Sequence, residues 1–139
     1  MKHFFIDTNI VLDFLLDRTP HAVNAEKLFN LSYLGEIKLY ISACSYDTIF
    51  YILTLNKSKV EAFKLLNELF SITETINTSK SIIAQSLQSG FNDFEDAIQN
   101  FSACSIPQIE TIITRNSKDF KLSVLNVLNP KETLHLLKK

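Results

Sequence analysis

Short apolar segments with strand-like composition alternate along this chain with longer segments in which apolar residues recur at helical spacing. Because strands and helices alternate, the pattern predicts an α/β fold with a mainly parallel sheet. The predicted strands cover residues 3–6, 38–42, 72–77, 109–114 and 124–128. Seven helices are predicted. The first five cover residues 9–16, a segment that runs from 22 towards 35, and residues 46–53, 57–70 and 79–88, with Ser45 as the cap of the third. The sixth follows a cap at residue 92 or 93 and extends to 104, and the seventh begins at Pro130.

The composition favours one globular domain over residues 1–139. Hydrophobic residues make up 46% and charged residues 21% of the chain, values typical of a globular protein and too apolar for a disordered one. With two Gly and three Pro in 139 residues, the chain favours helices and short connections over a turn-rich β-sandwich.

Charge, cysteines and the N-terminal segment narrow the class of protein further. A net charge of −1 gives no global basic field of the kind that marks many nucleic-acid-binding proteins, although a local basic patch fits within a neutral total. Cys44 and Cys104 lie far apart without metal or redox spacing, so we expect two reduced core residues. The opening HFFID shows no leader and no segment approaches a membrane span, so we expect a cytoplasmic protein.

Polar residues follow two of the predicted strands directly. Asp7, Thr8 and Asn9 come after the first strand, and Arg115 and Asn116 come after the strand of residues 109–114. Ligands of open parallel sheets bind beyond the carboxyl ends of the strands. We therefore expect a functional site where these strands end.

Five aspartates can reach this edge, and oxygen ligands without a nearby His or Cys cluster suit Mg²⁺ or Mn²⁺. Asp93 and Asp96 are three residues apart and share a helix face, whereas Glu95 is expected to point elsewhere as a solvated charge. A metal bound here can activate a water molecule and neutralise charge on a phosphodiester. The candidate ligands are Asp7, Asp47, Asp93, Asp96 and Asp119.

Each of these acids also has a purely structural interpretation. Asp7 can cap the following helix, and Asp93 or Asp96 can be an acid that is stabilised at a helix N-terminus. Asp119 can pair with Lys118 or Lys121 at the surface. Capping does not require all of these acids to meet at one edge of the sheet, so their expected convergence favours the functional interpretation.

Four segments in order resemble a PIN domain, the fold of many bacterial toxin ribonucleases of the VapC type. They are FFIDTNIVLDFLLDRTPH, ISACSYDTIFYIL, DFEDAIQNFSA and IIT-RNSKDF, and the resemblance continues to the closing NPKETL. The resemblance implies a three-layer α/β/α sandwich with a mainly parallel central sheet. It also implies an acidic cluster that binds Mg²⁺ or Mn²⁺ and cuts RNA.

On this resemblance Asp7 is the first metal-binding acid and Asp96 the third, and these two residues carry catalysis. Thr8 and Asn9 shape the loop after the first strand and support the site through hydrogen bonds. Thr114, the threonine at the end of the strand of residues 109–114, is a further supporting residue.

The chain departs from the family pattern at two positions. The second acid is usually a glutamate three residues after a Ser or Thr cap, and that count from Ser45 arrives at Thr48, with Asp47 as its neighbour. The fourth acid usually follows the strand as T-x-D, and that place holds Asn116, with Asp119 one turn further on. Thr48 and Asn116 are therefore expected to be supporting residues.

Two hypotheses for the function follow. The first is a metal-dependent endoribonuclease in which Arg115 or Lys118 contacts substrate phosphate, unless these two are solvated surface charges. The alternative is a degenerate PIN domain that binds RNA or a protein partner without cutting. A phosphotransferase with Asp7 as nucleophile is disfavoured, because Asn9 stands where its second acid is usually found.

The resemblance also implies partners. A toxin of this type is encoded beside a small antitoxin that covers the acidic cleft, and family members often form homodimers. The apolar residues of the helix from Val60 to Phe70 can belong to the core or to a dimer surface, and the core is the favoured interpretation.

Overall fold

The structure, a computed structural model, describes residues 1–138 and contains a five-stranded sheet in the order β3-β2-β1-β4-β5. All four strand pairings are parallel. The strands are β1 (Lys2–Ile6), β2 (Ile37–Ser42), β3 (Glu74–Ile76), β4 (Ile109–Ile113) and β5 (Asn126–Leu128). The helices are α1 (Thr8–Leu15), α2 (Ala22–Tyr33), α3 (Ser45–Leu53), α4 (Lys59–Ile72), α5 (Lys80–Leu87), α6 (Phe94–Cys104) and α7 (Pro130–Leu137), with a 3-10 helix at Ser117–Phe120.

Two hydrophobic cores lie on opposite faces of the sheet, because successive side chains of a strand alternate between its faces. Phe4 and Ile6 of β1 belong to one core, which includes buried residues of α1, α2, α3 and α4. Phe5 belongs to the other, together with Ala103 of α6 and Phe120 of the 3-10 helix. The fold is therefore the α/β/α sandwich with a parallel sheet that was expected from the sequence.

The order of the strands creates a switch point between β1 and β4. The chain runs from β1 outwards to β2 and β3, and then returns to the other side of β1 as β4 and β5. Ile6 is paired in register with Ile113, and the Asp7 amide donates to the Ile113 carbonyl at 2.9 Å. Open α/β sheets bind ligands in the crevice at such a point, so Asp7 lies where a ligand site is expected.

Helix α3 begins one residue earlier than a Ser45 cap predicts. Cys44 occupies the N-cap position, and Ser45 is the first helical residue with its side chain fully buried. Its hydroxyl accepts a hydrogen bond from Thr8 Oγ1 at 2.9 Å, which joins α3 to α1. The expectation that both cysteines lie in the core is wrong for Cys44, which is exposed, while Cys104 is half-buried.

Helix α4 buries a different face from the one we expected. Ala62 and Leu69 are buried, whereas Val60, Phe63 and Phe70 are 80%, 57% and 63% exposed. The predicted core face is therefore wrong for these three residues, since a helix with apolar residues on several sides does not reveal which side packs. Among residues 1–138, no helix has the length and apolarity that a bilayer crossing requires.

Candidate active site

A polar cleft of about 240 Å³ opens at the carboxyl edge of the sheet, beside the switch point. Residues from α1, α3, α6 and the 3-10 helix line it, so four separate segments of the chain meet there. Five carboxylic acids are among the lining residues. They are Asp7, Asp93, Glu95, Asp96 and Asp119.

Asp7 is held by two side chains that lie far away in the sequence. It occupies the N-cap position of α1 without a side-chain cap hydrogen bond, although the nearby backbone N–H groups of Asn9 and Thr8 act to lower its pKa. Gln99 Nε2 donates to Asp7 Oδ1 at 3.0 Å, and Thr114 Oγ1 donates to Asp7 Oδ2 at 2.8 Å. Only 4% of Asp7 is exposed. The carboxylate is therefore fixed in position by one donor on each oxygen.

Gln99 can present only its amide nitrogen to Asp7. The backbone N–H of Thr8 donates to Gln99 Oε1 at 3.0 Å, and Thr8 Oγ1 lies 3.2 Å from the same atom. Because a backbone N–H can only donate, Gln99 Oε1 must face Thr8, and its Nε2 must face Asp7. The sequence reasoning missed Gln99, although a glutamine three residues after Asp96 within an apolar helix was a visible signal.

Two acids of the cleft, Asp7 and Asp96, have pKa values above the ordinary range for an aspartate. Burial raises the pKa of Asp7, and the hydrogen bonds from Thr114 and Gln99 act in the opposite direction. The pKa of Asp96 rises from 3.8 to about 7, first because of burial and then because of the negative charges of Asp93, Asp7, Asp119 and Glu95. The cleft thus concentrates negative charge.

Asp93 and Asp119 line the cleft from more exposed positions. Asp93 is the N-cap of α6, and its Oδ1 accepts from the Asp96 amide at 2.9 Å, which confirms the predicted cap. Asp119 is exposed in the 3-10 helix. Within residues 1–138 it forms no salt bridge with Lys118 or another lysine, so the surface-pair interpretation is not supported.

The positions of Asp47 and Glu95 are the reverse of those predicted. Asp47 is exposed on the first turn of α3 and does not line the cleft. Thr48 does, and its hydroxyl donates to Glu95 Oε1 at 3.3 Å. A step of one residue turns a helical side chain by ~100°, which takes Asp47 away from the site. Glu95 is half-buried, so its prediction as a solvated charge was wrong.

Arg115 is engaged in an ion pair on the other side of α1. Its Nε and Nη2 donate to Asp13 at 2.7 and 3.2 Å, and Arg18 Nε lies 3.2 Å from the same carboxylate. The expectation that Arg115 contacts substrate phosphate is therefore not supported. Lys118 is exposed in the 3-10 helix, and its contact with substrate phosphate stays a prediction.

Asn9 and Asn116 occupy different surroundings at the end of the two strands. Asn9 is exposed and lines the cleft. Asn116 is exposed and does not line it, and its backbone amide donates to Thr114 Oγ1 at 3.0 Å. The contribution of Asn116 is thus to orient the hydroxyl that holds Asp7.

The donor set of the cleft fits a hard divalent cation. In the part of the chain that the structure describes, no three Asp, Glu, His or Cys side chains are grouped closely enough to hold a metal ion. The five acids nevertheless line one cleft, and their oxygen atoms are the kind of ligand that Mg²⁺ and Mn²⁺ prefer. Asp13, the other buried aspartate, is paired with two arginines, whereas Asp7 has no cationic partner among residues 1–138. A buried carboxylate of this kind is stabilised by a cation.

Comparison with protein families identifies one match for this chain. The family model described as "PIN domain" matches residues 3–118. These residues include β1 from His3 onwards, β4 and every acid of the cleft except Asp119. A comparison with curated proteins found no match.

Several solved structures have the same fold at low sequence identity. A DNA-bound VapBC from Salmonella typhimurium is 14% identical, with a TM-score of 0.72, and the match covers 94% of this chain and 99% of that one. A toxin–antitoxin complex from Klebsiella pneumoniae is 24% identical, with a TM-score of 0.67 and coverages of 91% and 96%. VapC20 of Mycobacterium tuberculosis, a sarcin-ricin loop cleaving toxin, is 12% identical, with a TM-score of 0.61 and coverages of 78% and 86%. At these identities the likeness establishes the fold alone.

Proposed function

This chain belongs to the PIN domain family, and we propose that it is a metal-dependent endoribonuclease that hydrolyses RNA phosphodiester bonds. The observation that carries the proposal is Asp7, a buried carboxylate at the switch point of the sheet. It has no cationic partner within residues 1–138 and shares an acidic cleft with Asp96. A core acid without a counter-charge is costly, and metal binding is one of the few reasons to retain it.

The residues of the cleft divide into those that hold a cation and those that hold the acids in place. Asp7 and Asp96 bind Mg²⁺ or Mn²⁺, and Asp93 and Asp119 add negative charge around them. When bound, such an ion supplies Lewis-acid chemistry, activating a water molecule and neutralising charge on the phosphodiester. Gln99 keeps the carboxylate of Asp7 in one orientation, so that the site is organised before substrate arrives.

RNA binding at this cleft depends on the bound cation. The acids that line the cleft repel phosphate until their charge is neutralised. Lys118 is exposed beside Asp119 and contacts the RNA backbone from the rim. The chain carries no global basic field, which fits a small RNA, or one that is read by its shape and its single-stranded bases.

The same fold in known toxin–antitoxin complexes supports a role as the toxin of such a pair. The structures from Salmonella typhimurium and Klebsiella pneumoniae are complexes of this type. A small antitoxin protein that covers the cleft would prevent RNA and metal from reaching Asp7. We propose that this activity takes place in the cytoplasm, where RNA is accessible. We also propose that the protein can form a homodimer.

The test is an RNA cleavage assay with the purified protein. Single-stranded and structured RNAs are incubated with Mn²⁺ or with EDTA, beside an Asp7→Asn/Asp96→Asn double variant. Asp17→Asn, which removes an exposed acid from the turn after α1, is the matched control. We expect cleavage with Mn²⁺ by the wild-type and control proteins, and loss of cleavage with EDTA and in the double variant.

The other outcomes of this assay are also decisive. Equal cleavage by the double variant would exclude Asp7 and Asp96 as the catalytic acids. RNA binding without cleavage, at millimolar Mn²⁺, would show that the chain is a PIN domain that binds RNA but does not cut it. If the wild-type protein neither binds nor cleaves any of the RNAs, that result contradicts the proposal outright.

A further inference from the structure

The cleft contains an acid that no expectation from the sequence placed there. Glu95 follows the cap residue Asp93 and precedes Asp96, and its carboxylate lies against Thr48 of α3. Thr48 stands at the helix position where a glutamate was expected and where this chain has no carboxylate. Position 48 of α3, where an acid was expected, therefore lies beside Glu95 of α6, an acid that was not expected in the cleft.

The contact between them is a single hydrogen bond. Thr48 Oγ1 donates to Glu95 Oε1 at 3.3 Å, and both residues line the same cleft as Asp7. A glutamate at position 48 would extend beyond the threonine hydroxyl by a carboxyl group. That carboxyl group would reach the region that the Glu95 carboxylate occupies.

The Glu95 carboxylate interacts electrostatically with Asp96, one of the proposed metal-binding acids. Its negative charge is one of the four that raise the pKa of Asp96. Asp47, the neighbouring acid on α3, does not contribute in this way and does not line the cleft. Among the acids near Thr48, it is Glu95 that faces the site.

We infer that Glu95 supplies from α6 the carboxylate that position 48 of α3 lacks, and that Thr48 holds it in position as a hydrogen-bond donor. This inference rests on the proposed function, because it assigns a further metal-binding acid to the same cleft. It makes α6 the source of three acids, Asp93, Glu95 and Asp96, all within its N-terminal cap and first turn. On this inference α6 supplies the negative charge that α3 does not.

The test is a metal-binding measurement, which does not depend on catalysis. Mn²⁺ is titrated calorimetrically into the wild-type protein, Glu95→Gln, Thr48→Val and a Thr48→Glu/Glu95→Gln double variant. Glu68→Gln, which removes an exposed acid from α4, is the control for net charge. Thermal melts in EDTA show that each variant is folded before the titration.

We expect Glu95→Gln to lower Mn²⁺ affinity by about tenfold or more, the size of effect seen when groups around a metal are removed. Thr48→Val keeps the carboxylate and should lower the affinity by a smaller factor. The double variant should restore it to near the wild-type value, because the acid returns to the cleft from α3. Glu68→Gln should bind Mn²⁺ like the wild type.

The possible failures separate the two proposals. If the wild-type protein binds Mn²⁺ and Glu95→Gln binds it equally well, the inference about Glu95 is overturned and the proposed function stands. A weakened Glu95→Gln variant that Thr48→Glu does not rescue would show that the two positions are not equivalent, which also overturns it. If the wild-type protein binds no Mn²⁺ at millimolar concentration, the proposed function itself fails.

Discussion

Arg115 and Asp13 form a forked ion pair, with Nε donating to Oδ2 at 2.7 Å and Nη2 donating to Oδ1 at 3.2 Å. The Asp13 side chain is fully buried, whereas 27% of the Arg115 side chain is exposed. Because Arg115 directly follows Thr114, the pair fixes the segment that holds Asp7 against α1. Arg115, which the sequence suggested for phosphate binding, thus stabilises the segment that positions Asp7.

Removing this arginine should destabilise the protein. Arg115→Ala leaves the buried Asp13 with Arg18 as its remaining partner. We expect a loss of ~3 kcal/mol in the free energy of unfolding, measured by urea denaturation at neutral pH. Arg115→Lys should restore only part of it, because an ammonium cannot form the fork. Lys118→Ala, an exposed position on the 3-10 helix, is the control and should change stability little. An Arg115→Ala variant as stable as Lys118→Ala would contradict this prediction.

Gln99 should contribute to both stability and metal binding. Gln99→Leu leaves the buried Thr8 N–H and Asp7 Oδ1 without their partner, which should cost ~1–3 kcal/mol of unfolding free energy. It should also lower Mn²⁺ affinity by about tenfold, because Asp7 is no longer oriented. Urea denaturation and calorimetry measure the two effects. The control is Gln85→Leu, an exposed glutamine of α5 whose hydrogen bonds stay within its own helix. A variant that loses stability but binds Mn²⁺ normally would show that Gln99 has a structural role alone.

Asp96 should make the metal-free protein less stable as the pH rises. Its pKa in the folded protein is about 7, above the ordinary value of 3.8. A raised carboxyl pKa gives a stability contribution that is present below the ordinary value and is lost as the pH rises through the folded value.

The Asp96→Asn variant should therefore be more stable than the wild type at pH 8 and similar to it at pH 4. We expect a gain of ~1–2 kcal/mol at pH 8, reduced from the full linkage value because solvent screens a partly exposed group. Urea denaturation in EDTA at both pH values measures the difference. Asp17→Asn is the control for removal of an exposed acid. An equal effect of Asp96→Asn at both pH values would contradict the assigned electrostatic cause.

Metal binding should stabilise the folded protein through Asp7. A ligand present at 100 times its dissociation constant adds ~2.7 kcal/mol to the unfolding free energy when it binds only the folded state. Mn²⁺ at that excess should raise the melting temperature of the wild-type protein and leave that of Asp7→Asn almost unchanged. Differential scanning fluorimetry with a series of Mn²⁺ concentrations measures both. A similar increase in both proteins would place the ion somewhere other than at Asp7.

Much of the architecture follows from local sequence patterns. The five predicted strands and the helices between them are present, with ends displaced by a few residues. The Asp93 cap of α6 and the proline at the start of α7 were predicted from residues within one helical turn. The face of α4 was not, because its apolar residues occur on more than one side of the helix.

The sequence by itself determined the α/β alternation, the position of Asp7 at the end of a buried strand, and the acids that are available near it. Tertiary structure decided which of them meet. Gln99 and Thr114 reach Asp7 across 92 and 107 positions of the chain, and Arg115 reaches Asp13 across 102. Such contacts depend on the order of strands and on the rotation of each helix about its axis. Asp47 and Thr48 are one residue apart, and the helix turns by ~100° between them. Asp47 therefore lies on the exposed surface, whereas Thr48 lines the cleft and contacts Glu95.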